Sequence, residues 1–420
     1  MSFLFMKAII LAAGEGLRCK PLTLTRSKVM LPVANRPILE HIITSLKDNG
    51  ITEIILVVGY KKERIMDYFK DGLAFGVNIK YVEQKAQLGT AHAVKQAEKL
   101  ICSGNSNLET SNSETSEFLV LNGDNLIEAQ TLADLLRNHK GDASLLTVKM
   151  KVTSGYGVIL EEGARVTGIL EKKPGAGSHI VNTGIYIFTP DIFENIERTP
   201  ISESGEYAIT DTLQLMINEG KIITAVPTES KWLDAIHAWD LLKANSIILN
   251  AARSLQLEGE LEECVIIRGK AAIGKNTKIR AGSYIVGPVV IGENCDIGPN
   301  VVILPSTTIG DNVSIRSFTE IENSIIMNDC RISSHGKISN SIIGSNNTLG
   351  TGFFVEDKED LEININGAIH HAPKLGTILG DDNQIGCRVL IKAGTTIAVN
   401  CQIESGNTIY RALPSNSLLF

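Results

Sequence analysis

The first 250 residues alternate short apolar runs with amphipathic segments. One apolar run covers Ala8 to Ala13, and a β-branched run covers Ile54 to Val58. The segment Leu39 to Asn49 has helical periodicity and stops at a glycine, as helices commonly do. Further buried strands are predicted over Phe118–Leu121, Ala143–Val148 and Ile185–Phe188. This alternation predicts an α/β, Rossmann-like domain with a mostly parallel sheet, whose ligands bind beyond the carboxyl ends of its strands.

After about residue 263 the apolar period becomes six. Isoleucine recurs at positions 267, 273, 279, 285, 291, 297, 303, 309, 315 and 321, and again at 385, 391, 397, 403 and 409. Neither a helix nor a simple strand spaces single apolar residues in this way. A triangular coil with one short strand per side does, because one isoleucine per side then points inward. The repeat therefore predicts a parallel β-helix, and it resembles the left-handed form.

The change of period divides the chain into two domains, as its length also suggests. We predict a first domain over residues 1–240, a linker helix over 241–263 and a β-helix over 264–420. The pattern over Trp239 to Leu257 is that of an amphipathic helix. The hexad fails over Glu356–Glu362 and Gly367–Pro373, where a loop is predicted to extrude.

Composition and charge narrow the range of partners. A hydrophobic content of 43% with 21% charged residues is typical of a globular protein. The formal net charge of −7 argues against nucleic acid or an anionic membrane as the main partner. No apolar span reaches membrane length, and the first apolar residues are interpreted as a buried strand. The seven scattered cysteines, without a CxxC pair, predict a cytoplasmic protein without disulfides or a zinc site.

Cations flank the glycine turn that follows the first strand. Arg18 lies two residues after Gly16, and Lys28 follows ten residues later. Backbone N–H groups of such a turn can face an anion that nearby cations neutralise. A local basic patch of Arg18, Lys20, Arg26 and Lys28 is therefore predicted. The dinucleotide and P-loop patterns are absent, and a plain tight turn would explain the glycines but not the cations.

Four stretches between Lys7 and Glu40, namely LAAGEGLR, PLT, SKVMLPV and RP-x-LE, resemble the signature of sugar-1-phosphate nucleotidylyltransferases. The resemblance is to the glucose-1-phosphate thymidylyltransferase and N-acetylglucosamine-1-phosphate uridylyltransferase type. It implies attack of a sugar phosphate on the α-phosphorus of UTP or dTTP, with Mg²⁺ and positive charge assisting. Arg18 and Lys28 are implied as the catalytic cations. Backbone contacts to the nucleotide are implied for Leu11, Ala12, Gly14 and Gly16.

The stretch QKAQLGTA, from Gln84 to Ala91, resembles the family's nucleobase segment Q-x-x-x-LGTA. An amide and exposed backbone groups can read the edge of a pyrimidine. The resemblance implies nucleotide contacts from Gln84, Gly89 and Thr90. The same stretch also fits a helix N-terminus near Thr90, and both interpretations stand. Uracil and thymine share this edge, so the sequence leaves the choice between UTP and dTTP open.

Two carboxylates are implied as ligands of Mg²⁺. Asp124 follows a buried strand in LNGDN, and Asp234 ends the stretch KWLD; both resemble the family's metal positions. One or two carboxylates plus substrate phosphates commonly hold this ion. An aspartate in an Asn-Gly-Asp turn is also common as a structural residue. Asp240 is a competing ligand, which we interpret as solvated or as a helix cap.

Three stretches resemble the family's sugar 1-phosphate site. Gly157 in YGV would let the backbone approach the hexose, and Asn182 in VNTG would bind ring hydroxyls. Glu171 in LEKKP offers a carboxylate to hydroxyls. Either Lys172 or Lys173 is implied as the ligand of the phosphate, since the family has one lysine there and this chain has two. The sugar can be glucose, glucosamine or N-acetylglucosamine.

The β-helix has two competing interpretations. Related two-domain proteins use it as an acetyl-CoA-dependent amino-sugar-1-phosphate acetyltransferase with a histidine as general base. The stretch SSHG around His335 resembles the segment that carries this base. The following G-A-G-T-x-x-A-N pattern is broken, because Asp357 stands where the family has asparagine. The alternative is a packing device that forms a homotrimer.

A different class of function is a non-catalytic regulatory subunit with the same two-domain plan and a degraded active site. The charged set Arg18, Lys28, Asp124 and Asp234 is intact here. This observation favours the enzyme.

Overall fold

The computed structural model describes residues 6–102, 117–150, 155–171, 179–202, 205–251, 256–365 and 368–420, with only the backbone of Glu171. The chain forms two compact units. The first comprises Met1–Glu15 and Ile38–Asp234, and the second comprises Gly16–Pro37 and Ala235–Phe420. The predictions for Lys172 and Lys173 lie outside the described residues.

The first unit is built on a nine-stranded mixed sheet. The strands of the unit, in chain order, are β1 (Lys7–Ala12), β2 (Glu53–Val58), β3 (Asn78–Glu83), β4 (Phe118–Asn122), β5 (Asn125–Ile127), β6 (Ala143–Lys149), β7 (Gly157–Glu162), β8 (Arg165–Glu171), β9 (Ile180–Phe188), β10 (Ile223–Pro227) and β11 (Trp232–Asp234). Strands β5 and β11 pair with each other outside the nine-stranded sheet. The order in the sheet is β3-β2-β1-β4-β9-β6-β10-β8-β7. Strands β3, β2, β1 and β4 are parallel, as are β6 and β10, whereas β9 runs antiparallel between β4 and β6.

The helices of this unit are α1 (Ile38–Asp48), α2 (Lys62–Phe69), α3 (Thr90–Gln96), α4 (Glu98–Cys102), α5 (Ala129–Asn138), α6 (Ile192–Glu197) and α7 (Ile209–Asn218), with a 3₁₀ turn at Leu73–Phe75. Helix α1 ends where Gly50, at φ 79°, donates to Lys47 O (2.8 Å) and the next N–H reaches Leu46 O (3.0 Å). These bonds satisfy the last carbonyls of the helix. The predicted first strand, the Ile54–Val58 strand and the helix after Leu39 are confirmed to within one residue.

The second unit is a left-handed parallel β-helix preceded by helix α8 (Asp240–Ala251). One face comprises Gln256–Leu257, Ala271–Ile273, Val289–Ile291, Thr307–Ile309, Ile325–Ile326, Ile342–Ile343, Thr377–Leu379 and Thr395–Ile397. The second comprises Glu260–Leu261, Lys278–Ile279, Asp296–Ile297, Ser314–Ile315, Arg331–Ile332, Thr348–Leu349, Gln384–Ile385, Gln402–Ile403 and Leu418–Leu419. The third comprises Ile266–Arg268, Tyr284–Val286, Val302–Ile303, Glu320–Glu322, Lys337–Ser339, Phe354–Val355, Leu390–Ile391 and Thr408–Ile409.

The hexad isoleucines form the core of the β-helix. Ile273 pairs with Ile291, so one coil takes three hexads and each isoleucine stacks on its equivalent in the next coil. The side chains of Ile279 and Ile297 are completely buried. Ile309 pairs with Ile326, one residue short of three hexads, and this shorter coil explains the shift of the sequence period after Ile321.

The ends of the β-helix and its interruption differ from the predictions. The predicted linker helix over 241–263 is shorter, because α8 ends at Ala251 and Gln256–Leu257 already pairs with the first coil. Leu257 is exposed, so no apolar period marks this strand. The predicted loop is an antiparallel hairpin of Lys358–Ile365 and Ala368–Leu375. The domain boundary at residue 240 stays a prediction.

Buried thiols contribute to the β-helix core. Cys295, Cys330 and Cys401 are buried, and burial raises the pKa of Cys330 to about 12, so this thiol behaves as a small apolar group. All seven cysteines lie in the described ranges, and none forms a disulfide. In the same ranges, no helix has the length and apolar character needed to span a membrane.

Candidate active site

The carboxyl end of β1 lies against the end of β2. A methyl group on Gly59 would lie 2.9 Å from Ala13 O, so a side chain there would force the two strand ends apart. Gly14 is different, because an added Cβ would meet no described atom within 4 Å. Leu11 is partly exposed, whereas Ala12 is buried. The glycine turn thus opens onto accessible space.

Main-chain pairing brings the two predicted metal carboxylates together. The N–H of Gly123 donates to Leu11 O (2.9 Å), which fixes the turn carrying Asp124 to β1. Asp124 immediately precedes β5. In the antiparallel β5–β11 pair, Asn125 is the register partner of Asp234. The main chains of two aspartates that are 110 residues apart in sequence are therefore neighbours beside the end of the first strand.

Buried hydrogen bonds hold this pair of strands in place. Asn125 Nδ2 donates to Thr183 O (2.7 Å), and Thr183 Oγ1 donates to Leu146 O (2.8 Å). The described residues contain no group of three or more His, Cys, Asp or Glu side chains that could hold a metal ion. Two carboxylates fit an ion such as Mg²⁺, which completes its coordination with phosphate oxygens and water.

The competing carboxylate, Asp240, has a structural partner. Its Oδ2 accepts the N–H of His237 (2.7 Å) at the start of α8. This contact reaches back from the first turn of the helix to the residue where the chain enters it, as in a capping box, in agreement with the sequence interpretation.

The predicted nucleobase segment lies between β3 and α3, with Gln84 buried at its start. The Nε2 atom of Gln84 donates to Gly89 O (3.0 Å) and lies 3.0 Å from His92 Nδ1. The bond to Gly89 fixes the orientation of the amide, and the carbonyl oxygen is the acceptor that this side chain can offer to a ligand. A hydrogen-bond acceptor suits the N3–H group of uracil or thymine.

Gly89 and Thr90 also have roles in the fold. Gly89 has φ 102°, and a Cβ there would collide with the backbone of Tyr207. Thr90 Oγ1 accepts the N–H of Ile209 (2.9 Å), where α7 begins. Sequence reasoning missed Gln87, whose Nε2 donates to the carbonyl oxygen at the end of β1 (2.9 Å). The sequence signal that could have identified Gln87 is its position inside the nucleobase motif.

Strand pairing also gathers the predicted sugar-binding stretches. Gly157, at the start of β7, is the register partner of Glu171 in β8. The next residue, Val158, pairs with Val181 of β9, directly before Asn182. Three stretches that are far apart in sequence are therefore neighbours.

The side chain of Asn182 already has partners within its own strand. Its Nδ2 donates to Tyr186 Oη (2.7 Å), and its Oδ1 accepts the N–H of Gly184 (3.1 Å). These contacts fix the orientation of the amide. The side chains of Glu171, Lys172 and Lys173 lie outside the described structure, so their predicted roles stay predictions.

In the second unit, the segment Gly16–Pro37 carries both predicted catalytic cations. It folds into 3₁₀ turns at Leu17–Cys19, Leu22–Leu24 and Lys28–Met30, followed by a hairpin of Pro32–Val33 and Arg36–Pro37. Gly16 has φ 73°, and an added Cβ would lie 2.6 Å from the Cβ of Lys28. A larger residue at Gly16 would therefore displace the lysine.

Arg18 is exposed on the first of these turns. The buried Cys19 next to it anchors the turn, with its Sγ 3.9 Å from Ala235 O and 3.8 Å from Ile236 O. Arg18 lines a cavity of about 420 Å³ together with Lys20, apolar side chains and the strand Lys358–Ile365. Two cations therefore border one cavity of this unit.

A histidine pair lies in the same unit. Nε2 of His237 is 3.0 Å from Nδ1 of His370. Burial, together with the nearby His237 and Arg18, lowers the pKa of His370. The lowered pKa favours the neutral form of His370.

One residue of the predicted basic patch, Arg26, is buried and paired inside the protein. Arg26 is 7% exposed, and its guanidinium forms an ion pair with the buried carboxylate of Asp381. Its charge is thus neutralised inside the protein and is not available to a phosphate. The prediction that Arg26 belongs to a phosphate-binding patch was wrong, because its partner is 355 residues away and no local pattern reveals it.

His335 occupies an exposed corner of the β-helix, with φ 61°. Its ring centroid lies 5.1 Å from that of Phe318, the corner residue of the previous coil. Histidine is among the side chains that tolerate this left-handed conformation, so a structural role accounts for it. Asp357, which replaces the family's asparagine, accepts hydrogen bonds from Ser339 Oγ (2.9 Å) and Asn340 Nδ2 (2.7 Å).

Known proteins resemble both parts of this chain. The nucleotidyl transferase family model matches residues 7–251, and the model of the GMPPB C-terminal domain matches residues 285–406. The bifunctional protein GlmU of Methanocaldococcus jannaschii is 34% identical over 421 residues, covering 99% of this chain and 97% of that protein.

Two further similarities bear on activity. A bifunctional sugar-1-phosphate nucleotidylyltransferase/acetyltransferase of Sulfurisphaera tokodaii is 30% identical over 418 residues, covering 97% of this chain and 98% of that protein. The crystal structure of UDP-glucose pyrophosphorylase complexed with UDP-glucose matches with a TM-score of 0.50 at 26% identity, over 59% of this chain and 99% of that one. The similarity to the Methanocaldococcus jannaschii and Sulfurisphaera tokodaii proteins extends over the β-helix.

Proposed function

This chain belongs to the nucleotidyl transferase family, and we propose that, as a sugar-1-phosphate nucleotidylyltransferase, it uses UTP or dTTP and a hexose 1-phosphate, with Mg²⁺ as its divalent metal. The hexose is glucose, glucosamine or N-acetylglucosamine. The observation that carries the proposal is the strand register that brings Asp124 and Asp234 together beside the backbone of Leu11.

The proposed residues bind the nucleotide and neutralise the charge of its phosphates. Arg18 and Lys28 would hold the triphosphate and stabilise the negative charge that develops on the α-phosphate and on the leaving pyrophosphate. The carbonyl oxygen of Gln84 would accept the N3–H of the pyrimidine. The open space beside Gly14 supports an approach of the nucleotide to the backbone there.

The carboxylates have a separate role. Asp124 and Asp234 would hold Mg²⁺, which when bound neutralises phosphate charge and orients the triphosphate. Gly157 and Asn182, with Glu171 and one of Lys172 and Lys173, would bind the sugar phosphate. The supporting observation is the strand pairing of their stretches.

An assay of pyrophosphate release tests the proposal. UTP and dTTP are each combined with glucose, glucosamine and N-acetylglucosamine 1-phosphates in the presence of Mg²⁺. We expect turnover with at least one of these sugar 1-phosphates, and we expect either UTP or dTTP to be preferred over other nucleoside triphosphates. Absence of turnover with every pair, in protein that unfolds cooperatively, would contradict the proposal and favour a regulatory subunit.

Acetyl transfer by the β-helix is a second candidate, favoured by the similarity to the bifunctional nucleotidylyltransferase/acetyltransferase of Sulfurisphaera tokodaii, which covers 97% of this chain. His335 would be the general base, and acetyl-CoA the donor to an amino-sugar 1-phosphate. The same preparation is therefore assayed for release of the CoA thiol with glucosamine 1-phosphate as acceptor. Release that His335→Ala abolishes would establish this activity, and its absence would leave the β-helix with packing roles.

We also propose that the chain forms a homotrimer through the β-helix. The support is its three long, flat faces of parallel strands, which are shapes suited to association about a threefold axis. Light scattering is expected to give three times the mass of the 45.4 kDa chain. A monomeric mass at working concentrations would contradict this part of the proposal.

A further inference from the structure

The segment that carries Lys28 is part of the β-helix unit. The segment Gly16–Pro37 clusters with Ala235–Phe420. Few of its residues belong to regular strands, and its three 3₁₀ turns are each only three residues long. Contacts with surrounding residues must therefore fix its conformation.

The first attachment of the segment lies just before Lys28. Arg26 forms an ion pair with Asp381, and the same carboxylate oxygen accepts the hydroxyl of Thr25 (2.6 Å). The other carboxylate oxygen accepts the N–H of Ser345 (2.8 Å). Arg26 also lies 3.0 Å from the sulfur of Met327. One buried carboxylate of the β-helix thus receives donors from two consecutive residues of the segment.

A second attachment lies after Lys28. Asn35 Nδ2 donates to Ile309 O (2.5 Å), a main-chain atom of the β-helix. The N–H of Ala34 donates to Asn245 Oδ1 (2.9 Å), and Asn245 is itself bound to Ser306 O (2.9 Å). The segment between Arg26 and Ala34, which includes Lys28, is therefore held at both ends.

The negative charge of Asp381 is needed to pair with Arg26 of the segment, but it is not needed for the hydrogen bond to the neighbouring coil. Asp311 occupies the equivalent corner three coils earlier. Its Oδ1 accepts the N–H of Glu293 (2.8 Å), just as Asp381 accepts that of Ser345. A neutral amide oxygen performs the same role one coil later, where Asn328 accepts the N–H of Asp311 (3.1 Å). A carboxylate is thus not needed for the coil bond. Its charge matters for Arg26, which would otherwise be a buried cation without a counter-ion.

We propose that Asp381 is a positioning residue for nucleotidyl transfer, because its bonds to Arg26 and Thr25 fix the turn from which Lys28 meets the triphosphate. This inference rests on the proposed function of Lys28. It makes the β-helix part of the nucleotidyl-transfer machinery in addition to any packing role. A displacement of about 1 Å in a catalytic group can lower a rate about 100-fold, so the placement of this turn matters.

The test compares Asp381→Asn with its matched control, Asp311→Asn. Both substitutions keep an oxygen for the coil bond, but only the first removes the counter-ion of Arg26. For Asp381→Asn we expect kcat for pyrophosphate release to fall about 10- to 100-fold, with little change in the KM of the sugar phosphate. For Asp311→Asn we expect kcat within about twofold of the wild type, as for an independent surface site.

A double variant shows whether the effect passes through Lys28. Asp381→Asn should add almost nothing to the loss caused by Lys28→Ala, because residues that act as a unit are not additive. A purely structural effect would instead multiply the two losses. Thr25→Val removes one hydrogen bond to the carboxylate without leaving a buried charge, and it is expected to lower kcat several-fold. If Asp381→Asn does not fold, this variant tests the positioning role in its place.

The outcomes separate the two proposals. Wild-type kcat in Asp381→Asn or, failing that variant, in Thr25→Val would overturn the positioning role, provided that Lys28→Ala is inactive. Multiplicative losses in the double variant would overturn it as well. If Lys28→Ala retains full activity, the proposed role of Lys28 fails first, and the positioning proposal fails with it.

Discussion

An Arg18→Ala variant is expected to show kcat/KM for pyrophosphate release lowered about 10³-fold, since an arginine placed on reacting phosphates contributes about that much or more. The loss corresponds to about 4 kcal/mol of transition-state stabilisation. Arg18 is exposed while its neighbour Cys19 is buried and anchors the turn, so truncation should leave the fold intact. The measurement is kcat and KM with the substrate pair that the wild type uses.

Two further variants show whether this loss is specific. Arg18→Lys keeps the charge but lacks the planar set of donors that matches phosphate, so an intermediate loss is expected. Arg331→Ala removes an exposed guanidinium from the β-helix strand Arg331–Ile332, and its kcat/KM should stay within about twofold of the wild type. Wild-type kcat/KM in Arg18→Ala would exclude the proposed role of this residue.

The hexad shows how far a sequence pattern can determine a fold. Each isoleucine of the repeat fills the same inward position, so period alone predicts the coils, the core and the direction of the strands. The pattern fails at the exposed first strands around Leu257, where nothing apolar is buried. It also fails at the Lys358–Leu375 hairpin, whose strands pair with each other outside the three β-helix sheets and follow period two.

The candidate site shows the opposite limit. Local motifs identify Asp124 and Asp234 separately, but only the pairing of Asn125 with Asp234 makes them neighbours. Arg26 was misjudged for the same reason, because its environment is set by Asp381 on a distant coil. Long-range pairing is a property of the fold, and no short stretch of sequence contains it.

Glycines illustrate a third limit, since one residue type serves two purposes. Gly89 belongs to a nucleotide motif, yet the backbone of Tyr207 leaves no room for a side chain there. Gly14 meets no described atom, so the fold itself does not demand glycine at that position. The sequence motif treats both as ligand contacts, and the geometry supports that role more directly for Gly14.

Replacing Asp124 with asparagine is expected to lower pyrophosphate release at least about 100-fold, because even the outer partners of a metal site contribute about 10- to 100-fold to affinity or activity. Asparagine keeps the shape of the side chain and removes only its charge. The Mg²⁺ concentration required for half-maximal activity should rise as well. Binding of Mn²⁺ to the enzyme with nucleotide, followed by electron paramagnetic resonance, measures the same loss without relying on catalysis.

A double variant tests whether the two carboxylates hold the same metal ion, which neither single substitution can show. If Asp124 and Asp234 hold one ion, the double asparagine variant should lose little more than the more severe single variant, because the ion is already lost. Asp240→Asn is the matched control: the Asp240 carboxylate accepts the N–H of His237, asparagine keeps an oxygen for that bond, and Mn²⁺ binding should not change. Independent, multiplicative losses at Asp124 and Asp234 would mean that the two carboxylates do not share a metal ion. Weaker Mn²⁺ binding in Asp240→Asn would move the second ligand to the start of α8.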